Sequence, residues 1–317
     1  MKCILCKVNE ADQTGSHITS CFFVASMLGD RDYEKGYIIS TDDLDYNKNR
    51  GADEIKEDNI LCKGCESRLS YLEGYFSSEY TNKVDLENYN NNFPDFKING
   101  TSYHIPKNVN SLVFNLLINS IVWRAHHSTK PLFAKFRIPK QTEKEIRLTL
   151  DTLLPAYENF KVSGRYVNWI REIDSVKDIV KLYPYVILRT QREEQDLKEN
   201  IIYFSDIEKN PYHIIINEFI ILPFMIGKKI DFIKQDYFEL NKKYDLMELL
   251  NKTYDEVKIG NLRLQDWRKI RNKLYDIVKE KYKWMRIIND CVDIAIRNGI
   301  IPTRKYMNHC KECRKNL

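Results

Sequence analysis

Apolar and polar positions change period twice along the chain. After Cys65, the positions Glu66, Leu69, Leu72, Glu73 and Phe76 recur at helical spacing, which predicts a helix starting at the second cysteine pair. Val109 to His126, with Leu112, Leu116, Ile121 and Trp123 among apolar neighbours, predicts a largely buried helix, and Glu143 to Leu154 predicts another that Pro155 stops. The middle of the chain switches to short β-branched and aromatic runs: Tyr183 to Arg189, Ile201 to Phe204, Tyr212 to Ile216 and Phe219 to Phe224. Charged turns separate them, so strands are expected. From Lys234 the helical period returns through Tyr237 to Leu250, Leu264 to Lys283 and Trp284 to Arg297.

Two polar stretches interrupt this pattern. Asp30 to Asp58 crowds Asp, Asn, Gly and Lys into a solvated loop; it shares composition with a calcium loop but not the ordered ligand positions. Residues 81 to 108, rich in Asn, Asp and Lys and broken by Pro94, Gly100 and Pro106, read as a boundary. The resulting division is a small domain over 1–82, a linker over 83–108 and an α+β domain with a helical C-terminal part over 109–317.

The 317 residues, 43% of them apolar, suffice for a real core. A formal charge of +5, from 50 basic and 45 acidic residues, permits nucleic-acid contact without arguing for it. The cysteines change the picture more. Cys3-x-x-Cys6 and Cys62-x-x-Cys65 can each bend into a knuckle and together offer four thiolates to one zinc ion. Unrelated thiols or a redox pair are the alternative, but neither pair has the strand and βαβ setting that thioredoxin-like chemistry requires. A third pair, Cys310 and Cys313, follows His309; it could close a second zinc site with Cys291 or a symmetry mate, or be exposed thiols on a frayed tail. Cys21, in the apolar run to Leu28, is most simply a buried thiol.

Metal-held thiolates in a chain of this size fit a reducing cytosol better than a disulfide scaffold does. The first pair begins almost at Met1, leaving no room for a cleaved signal peptide, so a cytoplasmic location is expected. Ile214 to Ile226, the most hydrophobic segment, contains Asn217, Glu218 and Pro223 and falls short of a bilayer span, so no membrane association is expected.

The order Cys3-x-x-Cys6, Ser16-His17-Ile18, Leu61-Cys62-x-x-Cys65-Glu66 resembles the zinc-stapled branch of the HNH, or ββα-metal, nuclease superfamily. More narrowly, Leu61 to Glu73 and the later Asn119-Ser-Ile-Val-Trp123-Arg124-Ala resemble bacterial proteins that carry a degenerate HNH-like domain before an α+β region. The resemblance implies a zinc-stapled ββα or treble-clef-like domain over roughly the first 80 residues, followed by a larger mixed α+β domain with long C-terminal helices. It puts Cys3, Cys6, Cys62 and Cys65 on the structural zinc positions, His17 on the base that activates water against a phosphodiester, and Glu66 beside the catalytic metal. It departs from the family at Ser16, where an acidic metal ligand is normal, and matches the hairpin Asn only loosely, at Asn59.

Phosphodiester hydrolysis would need a second cation, Mg²⁺ or Mn²⁺, because zinc closed by four thiolates cannot present a water. Glu66 is the best ligand candidate; Glu73 lies about 10 Å further along the helix, and Asp12, Asp30 or Asp32 could fold in. The ordinary reading of Glu66 is a carboxylate capping a helix N-terminus, and that of His17 is a polar residue ordering the knuckle. Trp123 and a buried, charge-paired Arg124 read as core, and His126 and His127 point about 100° apart on a helix and need not share an ion. Basic residues on the last helices, from Arg263 to Arg286, read first as solvated faces.

Two functions follow. The leading expectation is an HNH-like metal-dependent endonuclease acting on DNA or RNA, with bacterial defence as the implied setting. The competing one is a catalytically inactive zinc-binding scaffold that docks a protein or nucleic-acid partner, or a second copy of itself.

Overall fold

A seven-stranded mixed sheet runs through the chain, its neighbouring strands in the order Asp95–Ile98, Thr101–His104, Ile259–Asn261, Tyr185–Arg189, Phe219–Pro223, Ile214–Ile216 and Ile202–Phe204. The structure is a computed structural model that describes residues 1–19, 56–154, 166–175, 183–191, 201–205, 211–225, 238–253 and 255–276. The chain divides into two units, Met1–Ile38 with Asn49–Trp267, and Ile39–Lys48 with Arg268–Leu317. Of the second, the described residues 268–276 are helical.

Among the first unit's described residues, two short strands, β1 (Ser16–His17) and β2 (Lys56–Glu57), pair antiparallel and lead into helix α1 (Lys63–Phe76). Helix α2 (Ser111–His127) follows the β3 (Asp95–Ile98) and β4 (Thr101–His104) hairpin. Helices α3 (Lys140–Leu153) and α4 (Tyr166–Ser175) precede β5 (Tyr185–Arg189), β6 (Ile202–Phe204), β7 (Ile214–Ile216), β8 (Phe219–Pro223) and β9 (Ile259–Asn261). A small four-cysteine cluster at the N-terminus, followed by a larger mixed α+β body, is thus the architecture.

The α2 helix is the axis of this body. Asn110 caps it, its side chain accepting from the Val113 amide at 3.0 Å, and residues 111–125 are buried all round. A helix apolar on every side has to be enclosed. Accordingly one hydrophobic core runs without interruption from Cys3 and Leu5 through α1 and α2 to Ile187, Ile221 and Ile259 on the sheet. Alternation along β5, β7 and β8 turns Val186, Leu188, Ile215, Ile220 and Leu222 to the opposite face, where they are also buried. Gly260 is needed there, because a Cβ would sit 2.4 Å from Leu188 Cδ2 and 2.6 Å from Leu249 Cδ1.

Two expected assignments need correction. The segment 83–108, expected as a linker, contains β3 and β4, paired from Asp95↔His104 to Ile98↔Thr101. Asn99 and Gly100 turn the chain between them with φ of +50° and +82°, the geometry for which Asn-Gly is favoured. The helix expected over Tyr237 to Leu250 is replaced, across the described residues from 238, by turns and a 3₁₀ segment, Leu240–Lys242. Glu239 enters it with φ +57°, and tertiary bonds hold the rest: Asp245 gives its amide to Thr101 Oγ1 at 2.7 Å and accepts from Asn99 Nδ2 at 2.9 Å. Helix α4 and strand β9 were not foreseen. No helix among the described residues is long and apolar enough to cross a membrane.

Candidate metal centre

Each cysteine pair turns on one residue in the left-handed region, Lys7 at φ +60° and Asn59 at φ +56°. In the first knuckle the Cys3 amide donates to Asn9 O at 2.9 Å and the Lys7 amide returns to Cys3 O at 3.0 Å. The second knuckle lies against it: the Ile4 amide donates to Ile60 O at 2.9 Å, the Gln13 amide to Leu61 O at 3.0 Å and the Asn59 amide to Gln13 O at 2.8 Å. Backbone bonds therefore join segments remote in sequence before any side chain acts.

The result is convergence of four sulfurs. Cys3, Cys6, Cys62 and Cys65 are free thiols whose Sγ atoms all lie within 4.8 Å of one another, with Cys6 and Cys62 4.0 Å apart. A tetrahedral ion with bonds of about 2.3 Å to sulfur sets its ligands roughly 3.8 Å apart, so a modest contraction suffices. An all-sulfur donor set suits a thiophilic ion such as zinc and leaves no open position for substrate. Shared hydrogen bonding with Cys65 draws the Cys3 thiol down to about 4, with help from knuckle amides and against burial. The Cys65 thiol is pushed up by the same partner and by burial, while Arg68 pulls it down. A divalent cation binds the thiolate form of such a set, so its arrival would release protons.

Polar donors surround the sulfurs. Arg68 Nη2 donates to Cys65 Sγ at 3.1 Å, and Asn9 Nδ2 to Cys62 Sγ at 3.7 Å. Asp12, a candidate for a second metal, instead caps α1: its Oδ1 accepts from the Lys63 amide at 3.3 Å.

His17 and Glu66 lie apart from the sulfurs in a second polar cluster. His17 is half-buried on β1 opposite Lys56, and burial holds its imidazole below the usual range, with Lys56 and Arg124 adding to the effect and Glu73 opposing it. Burial raises the Glu66 carboxyl, Arg124 and Ser16 lower it, and Glu73 raises it further. The Ser16 hydroxyl faces that carboxyl without reaching hydrogen-bond geometry. At the centre is Arg124, 1% exposed, with Nη2 2.5 Å from Glu73 Oε1 and Nη1 donating to the His17 carbonyl. Its Nε and Nη2 also donate to Ser120 O and Oγ, each at 3.3 Å. The charge-paired Arg124 expected from sequence is present, and its partner is Glu73, one of the carboxylates considered for a catalytic cation.

The histidines at the end of α2 go separate ways. His126 Nδ1 accepts from the Ile138 amide at 3.1 Å, whereas His127 Nε2 and Trp123 Nε1 both reach Glu143 Oε1 at 3.0 Å. Among the described residues, the four cysteines are the group of ionisable side chains placed closely enough to hold an ion. Cys310, Cys313, His309, Cys291, Cys21, Asp30 and Asp32 lie outside the described residues.

Comparison with protein-family models, with curated proteins and with solved structures gave no significant match.

Proposed function

We propose that this chain is a non-catalytic scaffold, braced by structural zinc on Cys3, Cys6, Cys62 and Cys65, that docks a protein or nucleic-acid partner. The observation that carries this reading is Arg124. Hydrolysis at His17 would need a cation held by oxygen ligands beside the imidazole, and the Glu73 carboxylate there is already neutralised by a buried guanidinium that also engages the His17 carbonyl. Zinc on four cysteines would tie the two knuckles together and lend folding energy without offering a position for water. Asn9 and Arg68 would orient its sulfurs, and the cysteines would release protons on binding it.

The second reading is an HNH-like endonuclease with His17 as base, Glu66 as ligand and Mg²⁺ or Mn²⁺ as the working cation. What favours it is the succession of paired β1 and β2 followed by α1, a ββα order, and the influence of Glu73 on both His17 and Glu66, with the imidazole kept neutral near pH 7. The test is cleavage of plasmid DNA and single-stranded RNA by purified protein with Mg²⁺ or Mn²⁺, beside His17→Ala, with zinc measured in both and binding of the same nucleic acids followed by anisotropy. The scaffold reading expects one zinc per chain and no cation-dependent cleavage by either protein. Cleavage lost only on substitution at equal zinc content would establish the endonuclease instead.

A further inference from the structure

The Arg68 guanidinium bridges the cysteine cluster to the far end of another helix. Its Nη2 donates both to Cys65 Sγ at 3.1 Å and to Asp151 Oδ1 at 2.8 Å. Its Nη1 donates to the carbonyls of Asp151 and Leu154, each at 3.0 Å, where α3 ends and its last carbonyls lack partners within the helix. One side chain, 14% exposed, therefore serves as sulfur donor and helix C-terminal cap together. One turn earlier on the same face, Arg147 Nη1 donates to Leu5 O in the first knuckle at 3.1 Å. Helix α3 is thus fastened to both knuckles, and through Arg68 to a metal-ligating sulfur.

We propose that Arg68 couples metal occupancy of the cysteine cluster to the order of the α3 C-terminus, so that binding at the cluster is felt at that helix end and the helix end in turn sets metal affinity. Resting on the reading of the cluster as a metal centre, the coupling follows from charge. Four thiolates around a divalent ion carry a formal excess of negative charge, and a cation donating to one of them is held more firmly than it is by a neutral thiol. Emptying the cluster weakens that hold and leaves Asp151 as the main charge fixing the guanidinium. By linkage, whatever loosens the helix end weakens metal binding by the same factor. Asp151, which touches no sulfur, becomes a positioning residue for the metal.

The experiment measures Zn²⁺ affinity of the full chain by competition with a chromophoric chelator, and hydrogen exchange at amides 150–154 in the Zn²⁺-loaded protein. Arg68→Gln is expected to lower affinity about 10-fold and Asp151→Asn by a few-fold, with the double variant no weaker than Arg68→Gln alone. Arg68→Lys keeps the charge but loses the fork, so it restores part of the affinity without restoring protection at 150–154. Wild-type Zn²⁺ affinity in Asp151→Asn, despite faster exchange at 150–154, would overturn the coupling while leaving the metal centre intact. Failure of the wild-type chain to take up Zn²⁺ would overturn both, so the two failures are distinguishable.

Discussion

Helix α1 borders two clusters in which anionic side chains converge, and they differ in where the cation comes from. At its N-terminal end four thiols meet and Arg68 donates to only one of them, Cys65, so a full set of thiolates would draw most of its balancing charge from a divalent ion in solution. Further along, Glu73 pairs with the guanidinium of Arg124, which the chain itself supplies from α2 and whose charge also lowers the Glu66 carboxyl in the first turn. A cluster that could take an ion from solution is expected to respond to metal, pH and chelators. One with a built-in cation is closed, and serves to fasten β1, α1 and α2 together. The difference separates a binding centre from a brace, although both draw on side chains from the same short N-terminal region.

The largest effect should come from the first cluster. Cys65→Ser, or chelation of the wild-type chain, is expected to abolish zinc binding and to lower unfolding free energy by more than about 4 kcal/mol, because metal binding and local folding are one process there. Unchanged zinc content and thermal midpoint in Cys65→Ser would erase the contrast between the clusters. Next, Arg124→Met should cost about 3 kcal/mol by denaturant unfolding, with zinc content unaltered, because the partly buried Glu73 is left unpaired. Adding Glu73→Gln should recover a good part of that loss. No recovery would mean that Arg124 acts by packing rather than by its charge.

The smallest effect is pH-dependent and lies outside both clusters, at His126. Burial, with His127 and Arg137 adding and Glu143 opposing, holds its imidazole down at about 4. The unfolded chain binds this proton near pH 6.5 and the folded chain only near 4, so His126 causes stability to fall as pH drops through that window. His126→Asn, whose Oδ1 can still accept from the Ile138 amide and which does not titrate, should flatten the decline between pH 6.5 and 4. An identical pH profile in equilibrium denaturation would show that the histidine takes no part.

The features legible in advance were local ones. The buried α2 and the strands at 185–189 and 219–223 follow from periodicity within each segment, and the four-cysteine cluster follows from two knuckle spacings. The Asn99-Gly100 turn was legible too, as a hairpin signal, but the surrounding polar residues, which belong to an exposed edge strand, masked it as a linker. By contrast, Tyr237 to Leu250 has helical apolar spacing, and bonds from Asp245 to Asn99 and Thr101, on a distant hairpin, override it.

By itself, then, the sequence determined which segments carry a helical or strand period and which four thiols can meet, because those properties depend on neighbours a few residues apart. Only the tertiary structure decided that Arg124 pairs with Glu73 beside His17, that Arg68 joins Cys65 to the end of α3, and that Gly260 lies beneath Leu188 and Leu249. Those contacts are made between segments far apart along the chain. A buried charge accepts whichever opposite charge the packing of whole elements brings within reach, and no local pattern names that partner.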